Sequence, residues 1–460
     1  MLNDAREVFQ NAINAYPWVS SLANILPLSA LLDFIDIPRT LHAFELNGAT
    51  PLWCWPITPA GSRAILYAST TEDPCCLDKF GSSASLVCLD GRWGDVYNAA
   101  SPETLRLCLA TAPVVRIAND DLQMKRDGAR MQKLTVVHVS RLARESERPQ
   151  RPHSWSFVGA SVMGWILLVG LIVFTGLMHC WLSLAFLLVV PATGAAVSLT
   201  RGGKPRELRP VTPGRYDRIV VAALHMNETE WFVFYGETKL VNSLLSHQLR
   251  SRRFLDTHNW VSHTALRALI LGQWALVVGA AALQAWDAYF ITFWIVFCIL
   301  SHTLVFPPER CAKDWAERAA RVRFERFETL LSGRRPLLNT IMALNPETFP
   351  RDPVTGLENH EKLYEGGLLW IDPILKPGAD RSRWEEATRR AMVAVKNQSF
   401  TGKGDGDITV DGLEDRNWAK DYQESYWRNS IVEGMVVAKK IVEQAGLGLR
   451  ADRTFYNKAV

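Results

Sequence analysis

Two stretches of this chain are almost free of formal charge, and they limit what it can fold into more than any other feature. Ser154 to Thr200 contains no Asp, Glu, Lys or Arg, and Ala268 to Pro308 contains one, Asp287, near its midpoint. A hydrocarbon core needs about 20 apolar residues per helical crossing. Each stretch is therefore long enough for two crossings and a tight turn. The pattern predicts a polytopic α-helical membrane protein with four transmembrane helices arranged as two hairpins, accompanied by cytosolic α+β and helical segments. The expected crossings are 156–177, 181–200, 264–284 and 287–306.

Charge placement orients the hairpins. Arg141, Arg144, Arg148 and Arg151 precede the first crossing, and Arg201, Lys204, Arg206 and Arg209 follow the second. Arg250, Arg252 and Arg253 precede the third, and Arg310, Lys313, Arg318 and Arg321 follow the fourth. The turns around Met178–Trp181 and Gln284–Asp287 hold no Lys or Arg. By the positive-inside rule both hairpins enter from the cytosol and return to it, which puts both termini in the cytosol. Trp155 and Trp260 stand where the hairpins enter, and Trp181 and Trp286 at the distal turns, as an interfacial aromatic belt requires. Ala160 with Gly164, Ala192 with Ala196, and Ala275 with Gly279 have the small-x-x-x-small spacing that allows close helix approach within each hairpin.

The expected organisation follows: a cytosolic α+β region at 1–150, a hairpin at 156–200, and a cytosolic β-hairpin plus helix at 201–262 that docks on the first region. A second hairpin at 264–306 and a mainly helical cytosolic region at 309–460 complete it. Residues 1–36 read as helix, with an apolar patch interrupted by Pro27 and Asp33 that rests on the membrane surface or on the soluble core; the first ten residues do not read as a signal peptide. Ala64–Ala68, Ser85–Leu89, Val114–Ile117 and Leu134–Val139 read as strands. Cys311–Leu331 reads as an amphipathic helix whose Arg318, Arg321 and Arg326 meet anionic headgroups or form a solvated face. Two more helices are expected, one with Trp384, Ala387, Ala391 and Val395 on a single face, the other running from Trp427 through Val442 to Gly446.

Sequence chemistry is sparse. The net charge of +4 gives no reason to expect nucleic acid as a partner. The eight cysteines lack zinc or redox spacing and read as buried free thiols. Thr401–Asp407 lacks the spacing of a phosphate loop, and Asp405, Asp407 and Asp411 lack the Gly and Glu a calcium loop needs. Asn119-Asp120-Asp121 lacks paired-metal spacing. No cofactor or metal is therefore expected. Asn227 and Asn397 match the glycosylation pattern but fall on the cytosolic side.

The candidate site is an interfacial polar cluster of His263, Arg267 and His302, which would share a pocket for an anionic group or reach separately toward headgroups. His179 and Asp287 are candidates at the distal turns, paired across the hairpins or simply solvated, and Gln273 is a deep amide suited to bonding between helices. The leading functional expectation is a multi-pass membrane protein presenting a cytosolic interaction or regulatory platform to a protein partner. The alternatives are a membrane-embedded enzyme acting on a lipophilic substrate at the cytosolic interface, and an oligomeric channel or transporter.

Overall fold

A computed structural model describes residues 11, 15–30, 36–48, 51–66, 74–80, 85–119, 130–142, 155–201, 204–211, 217–250, 260–351, 358–399 and 422–447. Thr401–Asp407, Asp411, Asp120 and Asp121 lie outside them. The helices are α1 (Pro17–Ala30), α2 (Ile37–Asn47), α3 (Pro59–Leu66), α4 (Cys76–Phe80), α5 (Pro102–Ala110), α6 (Trp155–Leu177) and α7 (Trp181–Arg201). They continue with α8 (Thr238–Leu245), α9 (Trp260–Leu283), α10 (Trp286–Leu300), α11 (Pro308–Asp314), α12 (Arg334–Leu344), α13 (Ala379–Ser399) and α14 (Tyr422–Ala445). The strands are β1 (Val87–Asp90), β2 (Val96–Asn98), β3 (Val114–Arg116), β4 (Gln132–Arg141), β5 (Asp217–Ala223), β6 (Glu230–Glu237) and β7 (Val322–Leu331).

Four helices are long and apolar enough to span a membrane: α6, α7, α9, and α10 with its π-helical continuation to Val305. Each begins on a tryptophan of the expected belt, and Trp155, Trp181 and Trp260 are exposed. Between α6 and α7, and between α9 and α10, the chain turns through His179 and Gln284, both with positive φ. These turns mark one end of the bundle, called the turn end; the opposite end abuts the sheet.

The sheet is mixed and seven-stranded, in the order β2-β1-β5-β6-β4-β7-β3. Its centre joins pieces that the apolar helices separate in sequence. β4, which precedes α6, runs parallel to β6, pairing Val136 with Val233. β4 also runs antiparallel to β7, which follows α10, pairing Val136 with Phe327. β5 and β6 form the hairpin read between the two apolar stretches, and β5 continues onto β1. Successive side chains alternate between faces. Val136, Val221 and Val233 therefore meet α12, α13 and α14 on one side, while Val137, Val220 and Phe234 meet α5 and α8 on the other. α14 ends before Gly446, whose positive φ fits a helix C-cap.

Two expectations need correction. Cys311–Leu331 is not one helix: α11 passes into a π-helical stretch, Trp315–Ala320, the chain turns at Arg321 (φ 54°), and β7 begins. Alternation of Val322, Phe324 and Arg323 suits a strand with an available edge on β4, and that pairing outweighs the helical pattern. Arg326 therefore lies on a strand, 3.9 Å from Glu328, and not beside Arg318 and Arg321 on a helical face. Ala64 and Ile65 belong to helix α3 and not to a strand.

Part of the region 1–150 also packs among the apolar helices. Ile37, Leu41, Phe44, Trp53, Trp55 and Ile57 share a single buried core with Leu168, Phe186, Val190, Ile270 and Trp294 of the apolar helices. The non-helical segment 51–58 is wedged between those helices. A Cβ on Gly164 of α6 would strike the Trp53 ring, and one on Gly194 of α7 would strike Leu52 O and Trp55. The small residue at 164 thus makes room for an inserted indole, not for α7. Among the four apolar helices the broadest contact is between α7 and α9, where Gly279 faces Leu182.

Candidate functional site

The most concentrated buried polar chemistry among the described residues lies where the bundle meets the sheet. α2 is amphipathic; it turns Leu41 and Phe44 toward the bundle and His42 and Glu45 toward the sheet end. Glu45 is buried and accepts from Arg201 Nη1 at 3.3 Å, Arg206 Nη2 at 3.4 Å and the Cys76 backbone N–H at 3.0 Å. Arg201 closes α7 and also donates to Ala64 O and Ile65 O in the last turn of α3. A cation is favourable at both helix C-termini. Arg206 reaches Leu249 O, and its own carbonyl accepts from the Trp315 indole. One carboxylate thus ties α2, α3, α7, the chain before β5 and the π-helical stretch after α11 together.

A second network adjoins it. The Leu77 N–H donates to His42 Nδ1 at 3.1 Å, so the imidazole proton sits on Nε2, 3.1 Å from Thr104 Oγ1. Thr104 in turn donates to Asp78 at 2.8 Å, and Asp78 accepts from the Glu103 N–H at 2.8 Å. Asp78 therefore caps α5 from outside, where Ser101 makes no side-chain cap bond. Burial, aided by Arg206, pushes His42 down to about 3, so the ring is neutral at pH 7. Burial pushes Asp78 up to about 6 against the opposing hydrogen bonds. Burial also raises the Cys75 thiol well above its usual range and Cys76 to about 12, which leaves both protonated and poor nucleophiles.

His42, Cys75 and Asp78 each bring a donor atom of metal-binding type, all within 4.8 Å of one another. Coordination through His42 Nε2 would move the ring proton to Nδ1, against the Leu77 N–H already aimed there. Coordination through Nδ1 would displace that N–H. The donor set is arranged as a hydrogen-bond network, and the fit to an ion is poor.

Inside the bundle, Gln273 completes the backbone of the inserted segment. It accepts from the Ile57 N–H at 2.9 Å and donates to Trp55 O at 3.1 Å and Thr193 Oγ1 at 2.8 Å. Non-helical backbone at such a position is tolerated where protein groups satisfy it.

Of the expected cluster of His263, Arg267 and His302, only His302 is buried. His302 is buried, with Nε2 at 3.1 Å from Cys54 O and 3.2 Å from Cys54 Sγ, its ring against Phe44, and its Nδ1 without a partner. Arg267 is exposed on α9, and His263 is half-buried one turn earlier. The two distal candidates differ in burial. His179 is exposed and lies edge-on to Trp181. Asp287 is buried and accepts from the Ser183 N–H at 2.8 Å, which caps the start of α7 from a different helix pair. The expectation of a solvated turn residue gives way to a tertiary helix cap. Glu45, Arg201 and Arg206 carried no distinctive spacing; a lone acid inside the amphipathic stretch Ile37–Asn47 was the available signal. Neither family models, nor curated proteins, nor solved structures match this chain.

Proposed function

We propose that the chain is a multi-pass membrane protein presenting a cytosolic interaction or regulatory platform. One observation carries this reading: strands from before, between and after the two apolar helix pairs pair in one sheet. A common sheet needs those strands on one side of a bilayer, which supports two pairs that each enter and return. The arginines flanking the pairs favour the cytosol for that side. The Glu45 network fixes the sheet to the bundle without a flexible linker, as a display surface of defined orientation requires.

The enzyme alternative draws its support from the buried Cys54–His302 contact, while Arg267 is exposed on α9. Lipid and metabolite profiling of a deletion strain separates the two readings. The platform predicts no precursor that accumulates while its product falls. A lipophilic precursor–product pair restored by the wild-type chain but not by His302→Ala would overturn the platform in favour of the enzyme.

A further inference from the structure

Helix α1 lies against both α9 and α10. Its first residues are held at the turn end: Ser20 Oγ donates to Gln284 Oε1 at 3.1 Å, and the Tyr289 hydroxyl donates to Val19 O at 2.7 Å. Gln284 and Tyr289 flank the turn that joins α9 to α10. By Ile37 the chain has reached α3, where a Cβ on Gly61 would strike the Ile37 side chain. The end of α3 receives Arg201, and Asn47 at the end of α2 donates to Cys311 O in α11, so this level is the sheet end. Between Ser20 and Ile37 the chain therefore runs from one end of the bundle toward the other.

The intervening chemistry suits lipid. Trp18, Ile25 and Leu28 of α1 are exposed and apolar. Val8 to Leu32 contains no Asp, Glu, Lys or Arg. Pro17 to Ile37 matches the roughly 20 residues of a crossing. Asp33, Asp36 and Arg39 resume the charged sequence toward the sheet end, where Asp36 and Arg39 form an exposed ion pair at 3.6 Å. Ahead of α1 stand Asp4, Arg6 and Glu7, a set with no basic excess to hold it in the cytosol.

We infer that the chain crosses the membrane a fifth time between Pro17 and Ile37, so that Pro17 lies at the membrane face opposite the sheet and the C-terminal helices. The inference stands whether the sheet serves as a platform or serves an enzyme.

Cysteine labelling tests it in any membrane, because all eight native cysteines are buried. Asn3→Cys and Lys458→Cys variants in sealed vesicles are treated with a membrane-impermeant maleimide before and after permeabilisation. The expected result is that one position reacts at once and the other only after permeabilisation. Both reacting at once, or both only after permeabilisation, overturns the crossing. The pair Ser20→Cys and Gln284→Cys tests the packing separately: mild oxidation should cross-link most of the protein. A variant that accumulates without cross-linking overturns the position of α1. If that variant does not accumulate, the labelling result alone decides.

Discussion

Two polar side chains, Gln273 and Glu45, each tie together segments far apart in sequence, and they differ in charge and in depth. Gln273 sits in the middle of α9 and offers a neutral amide to one N–H, one carbonyl and one hydroxyl. Glu45 sits at the sheet end and offers a carboxylate to two guanidinium groups and one N–H. An unpaired amide loses a few kcal/mol on leaving water, whereas an ion loses far more. The neutral group thus serves where helices surround it on all sides, and the ions serve where the sheet and α2 supply counter-charge. The two sites together turn a lipid-compatible bundle into a fixed support for a water-compatible sheet.

The largest expected effect breaks the charged side of that comparison. Glu45→Ala leaves Arg201 and Arg206 buried beside each other without their shared anion, and should lower stability by about 3–5 kcal/mol. Glu45→Gln keeps an acceptor and should fall between that variant and the wild type. Unfolding of the detergent-solubilised protein followed by tryptophan fluorescence measures the difference. An unchanged midpoint in Glu45→Ala would mean that the arginines find other partners and that the junction is held elsewhere.

Breaking the neutral side should cost less. Gln273→Leu matches the apolar surroundings but strands the Ile57 N–H and the Trp55 carbonyl, at about 1–3 kcal/mol. Hydrogen exchange would sharpen the comparison, because the loss should appear at residues 51–58 and leave Cys76 N–H, held by Glu45, protected. Uniform loosening of both regions would show that the two sites form one cooperative unit.

These effects also explain which parts of the molecule the sequence makes legible. The four long apolar helices announce themselves by length and lack of charge, and the β5–β6 hairpin and α14 by regular periodicity. Residues 51–58 do not: Pro51, Pro56 and three aromatic or sulfur side chains read as an irregular soluble loop, because much of their apolar environment comes from the long apolar helices, about 100 residues or more away in sequence. α1 is obscured by Asn, Ser and Pro within its uncharged run, which dilute its apolar character. Strand β7 carries a helix-like stripe, and only the presence of β4 decides its form. Asp287 shows the same limit at one residue. Its place near a turn was evident, but the N–H it caps belongs to another helix pair.

The smallest expected effect is the net pH response of the wild type, set by two groups beside the charged site. His42 is held neutral in the fold, at about 3 against an ordinary 6.5, so acidification below 6.5 protonates the unfolded chain first and removes stability. Asp78 is raised to about 6 from 3.8, so the fold takes up its proton first, and acidification from about 6 to 3.8 adds stability. Over that window the two groups oppose one another and flatten the wild-type response. His42→Gln removes the destabilising member, and its unfolding midpoint relative to wild type should rise as pH falls from 6 to 4. Asp78→Asn removes the other, and its midpoint relative to wild type should fall over the same range. Melting both variants and the wild type at pH 4, 5, 6 and 7 measures those differences. Parallel curves for all three would show that neither proton is linked to folding, and that the His42–Thr104–Asp78 network contributes through its hydrogen bonds alone.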